Sequence, residues 1–389
     1  MKVLISTDCY LFNMGGITAS VLALCAGLRL HGHEVKTLSS SNCSKSYRDG
    51  DDYFIKSIPA LYYPDMRMSF AVRDPLIKEL EEWGPDIVHI QTEGTARRMG
   101  LRIAKQCRIP VVMTCHTDYG HFVFGKCKSL PPARGLTRVA GKILYRQADR
   151  VVAPSKKAAA FPFLSSVQDR LTVIPNGMET VKYQKHLLPD ERRAFRASFG
   201  IGDNTGVLLV LSRLSKEKNV RELLSYLPGL LKVDPDIKLL IVGDGPDKKK
   251  LEKLTEKLKL ANNVVFTGRI PSEDVWRYYD AGDLFVSAST FEVHSMSYLE
   301  ALANGLPMLC RADEALSGVL EHNKNGMIYQ TEAEFIDFAH RILRDGDIRE
   351  EMGRLSSLAA ESFSSDSFAA AMLSVYESAL AGYKKDTNG

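Results

Sequence analysis

Short apolar runs and longer amphipathic stretches alternate along the first half of the chain. The apolar runs are rich in Val and Ile and end at polar or Gly residues, as buried parallel strands do. We predict strands at residues 3–6, 34–38, 86–91, 111–115, 150–153 and 171–174. Stretches of helical period lie between them, for example at residues 17–30 and 95–107. This alternation predicts the βαβ units of a doubly wound parallel sheet.

The same alternation restarts in the second half of the chain. It predicts strands at residues 206–211, 238–242, 264–267, 284–287 and 307–310, with helices at 220–233 and 246–260. The chain has 389 residues, and single cores stop growing near roughly 250 to 300 residues. We therefore predict two doubly wound, Rossmann-like α/β domains that join near residues 176–182.

The last helix carries an apolar stripe. Phe368, Met372, Val375 and Ala379 fall on one of its faces, so it buries that face against other elements. We expect this helix to return to the first domain. The predicted domains are then residues 1–178 with 368–389, and residues 179–367.

Composition adds an expectation about location. The longest apolar runs fall short of the roughly 18 residues that a membrane span needs. The N-terminal apolar run reaches the charge of Asp8 too early for a signal peptide. The seven cysteines are scattered without a C-x-x-C pair, which favours reduced thiols and disfavours metal binding by cysteine. These features predict a cytoplasmic protein.

The net charge of +4 is small, but its distribution is uneven. Between residues 121 and 150 the basic residues far outnumber the acidic ones, and apolar residues such as Phe122 and Leu130 lie among them. Such a segment can bind anionic lipid, and we predict that contact for Lys126, Lys128, Arg134 and Arg138. The alternative is a basic helix face in solvent. No recognition motif favours nucleic acid.

Two acidic and two basic residues in the second half indicate a ligand with two chemically different ends. Arg213 and Lys218 lie five apart after an apolar run, and Glu292 and Glu300 lie eight apart. Cations suit a polyanion and carboxylates suit hydroxyl groups, so the set fits a nucleotide diphosphate sugar. Eight residues of helix span about 12 Å, whereas glycosidase carboxylate pairs need roughly 5 to 9.5 Å, which disfavours hydrolysis.

Weaker motifs follow several strands. Gly15 and Gly16 open a helix whose N–H groups favour anions, and a plain strand–helix turn is the alternative. His116 ends a strand where such folds bind ligands, and its alternative is a core histidine. Residues 243–246 look like a turn, and we expect residues 244 and 246 to cap and open the helix that follows. Residues 268–270 end another strand and would present backbone groups to the edge of a base. The Asp-Gly-Asp sequences at 49–51 and 345–347 also indicate turns, and no metal spacing is present.

These residues, in this order and spacing, resemble the retaining glycosyltransferases of family 4, which have the GT-B fold. The resemblance covers essentially the whole chain. Besides the motifs above, it rests on Asp86-Ile87-Val88-His89, Val152-Ala153-Pro154-Ser155, Pro175-Asn176-Gly177, Thr267-Gly268-Arg269, Ala303-Asn304-Gly305-Leu306-Pro307 and Asn325-Gly326. The run from Glu292 through Ser-Met-Ser-Tyr, with Val293 where the family usually has Gly, is similar to the diacylglycerol glucosyltransferase branch.

The resemblance implies two domains facing across a cleft and a role for each motif residue. Arg213 and Lys218 would hold the diphosphate, Glu300 the ribose hydroxyls and Glu292 the sugar hydroxyls. Further donor contacts would come from the following residues: Gly16, Ile270, Ser295, Met296 and Ser297. His116 would meet the sugar from the first domain, and Glu292 and His116 are the candidate catalytic residues. No cofactor or divalent metal would be needed.

The implied reaction is transfer of a hexose, glucose or galactose, from a UDP-sugar to a lipid with retention, giving an α linkage. Diacylglycerol or its monoglycosyl derivative is the favoured acceptor, and the enzyme would bind peripherally to the inner face of the membrane. Glycan, polyprenyl-linked and small-molecule acceptors remain alternatives. So do a UDP-GlcNAc 2-epimerase-like enzyme and a non-catalytic lipid- or sugar-binding module.

Overall fold

The computed structural model describes residues 1–8, 10, 15–60, 63–118, 139 and 141–387. The chain divides into two compact units. The first contains Met1–Met178 with Ser364–Gly389, and the second contains Glu179–Phe363. Each unit is built around its own sheet, which is mainly parallel in the first unit and entirely parallel in the second.

The strands of the first unit form one large sheet and one hairpin. Their bounds are β1 Lys2–Thr7, β2 Glu34–Ser40, β3 Tyr47–Asp49, β4 Asp52–Ile55, β5 Ile58–Ala60, β6 Tyr63–Met68, β7 Ile87–Ile90, β8 Val111–Thr114, β9 Arg150–Ala153 and β10 Leu171–Val173. The sheet order is β10-β9-β8-β7-β1-β2-β4-β3, and β5 pairs with β6. All pairs in the large sheet are parallel except β3 with β4.

The helices of the first unit connect these strands. Their bounds are α1 Gly16–Leu30, α2 Pro75–Trp83, α3 Thr95–Cys107, α4 Lys156–Ala159 and α12 Ser365–Thr387. Short 3-10 segments lie at Pro162–Leu164 and Gln168–Arg170. Asp74 accepts a hydrogen bond from the backbone N–H of Leu76 at 3.1 Å and so caps α2, as Asp does at an N-cap position.

The second unit is a regular doubly wound sheet. Its strands are β11 Gly206–Leu211, β12 Ile237–Val242, β13 Val264–Gly268, β14 Leu284–Ser287, β15 Met308–Arg311 and β16 Gly326–Tyr329. Its helices are α5 Pro189–Ala197, α6 Val220–Val233, α7 Lys248–Lys257, α8 Val275–Ala281, α9 Met296–Ala303, α10 Glu332–Arg344 and α11 Gly346–Ala360. Its 3-10 segments are Thr180–Lys182, Lys216–Lys218, Glu314–Leu316 and Glu361–Phe363. The strand order is β13-β12-β11-β14-β15-β16, all parallel.

The last helix, α12, packs within the first unit against α1. Its residues Phe368, Met372, Val375 and Tyr376 are at most 5% exposed and belong to the same core cluster as the buried face of α1 and the first strands. Glycine permits this contact, since a Cβ at Gly27 would lie 2.1 Å from the carbonyl oxygen of Ser365. A Cβ at Gly177 would likewise lie 2.4 Å from Phe368.

The predicted doubly wound architecture is confirmed, with each predicted strand found within a few residues of its place. Two regions differ. Short strands between residues 47 and 68, and β16, carry little sequence periodicity and were not expected. The helix predicted from residue 246 begins at Lys248 instead, and Asp244 does not cap it, because its carboxylate accepts from the N–H of Gly245 at 2.6 Å.

Candidate active site

The two loops that carry most of the candidate donor residues lie at the switch point of the second sheet. Strands β11 and β14 are neighbours, while the strands that follow them extend to opposite sides of the sheet. Open α/β sheets bind ligands in the crevice that forms at the carboxyl ends of such strands. The loop after β11 contains residues 212–219 and the loop after β14 contains residues 288–295.

The glycine-rich turn after β12 supports the loop that carries Arg213. The N–H of Leu214 donates to the carbonyl oxygen of Asp244 at 2.9 Å. A Cβ at Gly243, whose φ is +137°, would lie 2.0 Å from the carbonyl oxygen of Ser212. The turn therefore needs glycine for close packing. Arg213 itself is exposed, and within the described part of the chain its guanidinium makes no hydrogen bond or ion pair.

The two loops are tied together through one carbonyl group. The oxygen of Glu217 accepts from the N–H of Thr290 at 2.9 Å and from the hydroxyl of Ser289 at 3.2 Å. This places Lys218 against Glu292, with Nζ 2.6 Å from Oε1. Their side chains are 23% and 9% exposed. The structure thus brings together one predicted phosphate ligand and one predicted sugar ligand.

Lys218 and Glu292 line a recess between the ends of β11 and β14. The remaining lining residues are Val210, Leu211, Ser212, Leu223, Phe285, Val286, Ser287, Ala288 and Ser297. Its lining combines apolar side chains, serines and the ion pair. A ligand that binds between Lys218 and Glu292 would contact a cation and a carboxylate together.

Glu300 lies on α9 and is held by two tyrosines. Tyr183 donates its hydroxyl to Oε1 at 2.9 Å, and Tyr279 donates to Oε2 at 2.7 Å. Burial raises the pKa of Glu300, while these two hydrogen bonds lower it. Each carboxylate oxygen has a second lone pair, so the group still has acceptor capacity for a diol. Sequence reasoning missed both tyrosines, which lie far from Glu300 in the chain and carry no motif.

Ser295, Met296 and Ser297 form the beginning of α9. Ser295 is the N-cap, and its hydroxyl lies 3.1 Å from that of Ser297 rather than on the helix backbone. Glu292 precedes the helix and lies in the loop, so the spacing of about 12 Å expected for a continuous helix does not describe the pair with Glu300. The helix α9 begins at Met296, four residues after Glu292.

Ile270 follows β13, two strands away from β11. It is half-buried, and the turn before it is fixed by Gly268, whose φ is +76° and whose carbonyl oxygen accepts from the N–H of Gly243 at 2.9 Å. The backbone at this position is thus anchored to the turn that supports the Arg213 loop.

The first unit carries Gly16 and His116. Gly16 is the exposed first residue of α1, and Gly15 before it is extended with φ −147°. His116 is half-buried two residues after β8, and its Nε2 lies 2.7 Å from Oε1 of Gln91. Sequence reasoning missed Gln91, although its place directly after β7 is the same signal that singled out His116.

Asp8 is a further residue that sequence reasoning missed. It follows β1, and its Oδ1 accepts from the Thr95 hydroxyl at 2.7 Å and from the N–H of Ala96 at 2.8 Å. Its Oδ2 accepts from the Thr92 hydroxyl at 2.8 Å. Asp8 thereby anchors the beginning of α3 at the carboxyl edge of the first sheet.

The four residues predicted to contact the membrane, Lys126, Lys128, Arg134 and Arg138, lie outside the described residues. The end of the same basic segment is described. Val139 and Ile143 are 59% and 64% exposed, and Lys142 and Arg146 are exposed beside them. Apolar and basic side chains therefore share this surface.

The neighbouring basic cluster on α3 is partly structural. Arg97 donates from Nε and Nη2 to the carbonyl oxygen of Leu144, at 3.0 and 2.7 Å. Arg102 pairs with Glu81 at 3.2 Å. Arg98 and Lys105 are exposed.

Among residues that the structure describes, no group of three or more His, Cys, Asp or Glu side chains is arranged to hold a metal ion. Within the described residues, every helix is too short or too polar to span a bilayer.

Two family models match this chain, one in each half. The model described as Glycosyltransferase Family 4 matches residues 14–182, and the model described as Glycosyl transferases group 1 matches residues 191–356.

Two similar proteins are named alpha-monoglucosyldiacylglycerol synthase. The protein from Streptococcus pneumoniae is 29% identical over 334 residues, which cover 85% of this chain and 76% of the relative. The protein from Acholeplasma laidlawii is 28% identical over 387 residues, which cover 97% of this chain and 96% of the relative.

The Anabaena protein HepE, solved in complex with UDP-glucose, is similar in structure. Its TM-score is 0.71 at 19% identity, over 97% of this chain and 100% of that chain. At this identity the similarity shows a shared fold.

Proposed function

Because this chain belongs to glycosyltransferase family 4 and has the GT-B fold, we propose that it transfers a hexose from a UDP-sugar to a membrane glycerolipid. The favoured acceptor is diacylglycerol or its monoglycosyl derivative, and the favoured product has an α linkage. The observation that carries the proposal is the pairing of Lys218 with Glu292 at the switch point of the second sheet.

The donor half of the proposal follows from the charges of this site. A diphosphate needs cations, and Lys218 and the exposed Arg213 provide them on one loop. Glu292 accepts hydrogen bonds from sugar hydroxyls, and Glu300, with its orientation set by two tyrosines, accepts from the ribose diol. Charge-assisted hydrogen bonds of this kind are about twice as strong as neutral ones. HepE, of the same fold, was solved with UDP-glucose.

The negative charge of the leaving diphosphate must be stabilised in the reaction, and groups of this chain would do so in place of a metal ion. When the bond from the sugar to the diphosphate breaks, negative charge develops on the phosphate oxygens. Lys218, Arg213 and the N–H groups at the beginning of α9 are the groups of this chain that would neutralise it. The acceptor hydroxyl attacks from the face that the diphosphate leaves, and a phosphate oxygen takes its proton, so the configuration at the anomeric carbon is retained.

The acceptor half rests on two supports. Two relatives, whose matches cover 85% and 97% of this chain, are named alpha-monoglucosyldiacylglycerol synthase. The exposed Val139 and Ile143, next to Lys142 and Arg146, give the first unit a surface that suits an anionic bilayer. We therefore expect peripheral binding at the inner face of the membrane.

The deciding experiment is a transfer assay with UDP-glucose, UDP-galactose and GDP-mannose against diacylglycerol, monoglucosyldiacylglycerol, a polyprenyl phosphate and soluble glycans. We expect a glycolipid from a UDP-hexose, with an α anomeric proton in its NMR spectrum. A β product overturns the retaining mechanism. Conversion of UDP-GlcNAc without any acceptor identifies an epimerase, and lack of turnover with every pair identifies a binding module.

Membrane binding is tested by co-sedimentation with liposomes. Binding should require anionic lipid and fall as salt rises, because each basic residue near such a surface contributes about 1 kcal/mol. Reversing Lys126, Lys128, Arg134 and Arg138 to Glu should abolish it. The matched control reverses four exposed lysines of α7 in the second unit: Lys249, Lys250, Lys253 and Lys257. Equal binding of wild type to neutral and anionic liposomes would remove the electrostatic basis of the proposal.

A further inference from the structure

The side chain of Ser212 carries a buried polar atom that the folded chain leaves without a partner. Its Oγ is buried and has no hydrogen-bond partner among the residues that the structure describes. A buried hydroxyl without a hydrogen bond destabilises a fold, so native structures keep few such groups, and each calls for an explanation. A ligand that brings a partner for the hydroxyl is one such explanation.

The side chain of Ser212 faces the recess between the ends of β11 and β14. Ser212 directly follows β11 and lines this recess. Its backbone is directed toward β12 instead. The N–H donates to the carbonyl oxygen of Val242 at 3.1 Å, and the carbonyl oxygen of Ser212 lies against Gly243. Because β12 and β14 flank β11 on opposite sides, the side chain is the part of Ser212 that is left to line the recess.

The other two serines that line the recess already have partners. Oγ of Ser287 lies 2.9 Å from the hydroxyl of Tyr298, and Oγ of Ser297 lies 3.1 Å from Oγ of Ser295. Ser212 differs from both, because its hydroxyl has one donor and two acceptor lone pairs that no described residue uses. Of the three, it is the hydroxyl best able to bind a group that enters the recess.

The size of the recess limits what this group can be. Its volume is about 10 Å³, which is close to the least that holds one water molecule. One hydroxyl oxygen fits this space, whereas a phosphate group with its several oxygens does not. Lys218 and Glu292 line the same recess. A sugar that binds Glu292 through some of its hydroxyls therefore has further hydroxyls beside the recess.

We propose that Ser212 is a further donor-binding residue, whose hydroxyl makes a hydrogen bond to one hydroxyl group of the donor sugar in this recess. The inference rests on the proposed function, in which Glu292 binds the sugar. Every residue that it uses belongs to the second unit. The sugar supplies the partner that the folded chain does not provide, while UDP, which has no hexose, leaves Ser212 as it is.

The first test is calorimetric titration of the full chain with UDP and with UDP-glucose. Ser212→Ala should weaken the binding of UDP-glucose about 2- to 13-fold, equivalent to one neutral hydrogen bond. The affinity for UDP should not change. Ser225→Ala, at an exposed site on α6, is the matched control and should change neither affinity.

Donor analogues identify the sugar hydroxyl that Ser212 binds. The titrations are repeated with UDP-glucose that lacks the 3-, 4- or 6-hydroxyl group. For one analogue, the loss of affinity caused by Ser212→Ala should disappear, because the two changes remove the same hydrogen bond and their effects are then not additive. For the other analogues the loss should persist.

Thermal unfolding of the ligand-free protein tests the burial argument separately. Ser212→Ala removes a buried group that has no partner, so the midpoint should stay equal or rise by up to about 4 °C. Ser287→Ala is the contrast within the same recess. It leaves the hydroxyl of Tyr298, which is 4% exposed, without its partner, so the midpoint should fall.

The contrary outcomes can be told apart. A lower midpoint in Ser212→Ala, or a variant that does not fold, means that the hydroxyl is satisfied without a ligand, for example by a water molecule, and overturns the inference. Unchanged binding of UDP-glucose in Ser212→Ala overturns it too, as does a loss of affinity that persists with every analogue. In these cases the proposed function stands. A wild type that binds neither UDP nor UDP-glucose contradicts the proposed function, and the inference with it.

Discussion

Replacing Lys218 by Met removes one ammonium group from the proposed donor site and keeps an unbranched stem. In the structure this group lies 2.6 Å from Glu292, and the side chains are 23% and 9% exposed. A charge-assisted hydrogen bond is worth about 1.5 to 3 kcal/mol. If Lys218 makes an equivalent bond to the diphosphate, its loss weakens UDP binding and transfer about 10- to 150-fold, since 1.4 kcal/mol is tenfold.

The partner substitution has the opposite effect on UDP. Glu292→Gln releases Lys218 from its carboxylate, and UDP has the diphosphate but no sugar for Glu292 to bind. We expect UDP affinity to stay equal or to increase, while transfer from UDP-glucose is largely lost. Calorimetric titration of UDP and initial rates with UDP-glucose measure the two effects. Lys216→Met is the control, because Lys216 is exposed in the same short turn.

The double variant completes the comparison. With both charges removed, no buried charge is left unpaired, so the thermal stability lost in Lys218→Met should largely return. A fall in UDP affinity in Glu292→Gln as large as that in Lys218→Met would refute the assignment. It would mean that Glu292 contacts the nucleotide and not the sugar.

Four further predictions address the support of the site. Arg213→Ala should lower kcat/KM about 10- to 150-fold, because it removes a comparable charged contact. Gly243→Ala should destabilise the second unit by about 1 to 3 kcal/mol in denaturant titrations, whereas Gly346→Ala, at a site with open space around it, should not. Tyr279→Phe removes a hydrogen bond that lowers the pKa of Glu300. That pKa should therefore rise, and UDP affinity should be lost at a higher pH than in the wild type as pH falls. EDTA should leave the transfer rate unchanged, and recovery of a lost rate by added Mg2+ would contradict this.

The sequence predicts the parallel sheets well because their strands are buried on both faces. Runs such as residues 206–211 contain almost only apolar residues. Their burial can therefore be inferred from the sequence without knowing which strands lie next to them. The strands between residues 47 and 68 are three to six residues long and mix charged with apolar positions. β4 extends the large sheet beside β2 and pairs with β3, whereas β5 and β6 pair with each other in a separate hairpin, and these pairings are set by tertiary structure.

The candidate site likewise contains residues that the sequence predicts and residues that it does not. Lys218 and Glu292 could be found because each follows a strand, and parallel strands bring their carboxyl ends to one edge. The tyrosines on Glu300 could not, because Tyr183 and Tyr279 come from two separate segments. Gln91 shows an intermediate case, since its position after β7 is informative only once β8 is known to be the neighbouring strand.

The packing of α12 on α1 has a consequence for biosynthesis. The apolar face of α1 is made early, but the helix that covers it is synthesised only after the whole second unit. Ribosomes add about 5 to 20 residues per second, so the roughly 200 residues from position 178 to position 379 take about 10 to 40 seconds. During this interval the second unit is synthesised, while the first exposes the surface around Val21, Leu24 and Leu28. The core of the first unit can therefore be completed only after the second unit has been made, although the strands of the first unit are synthesised first.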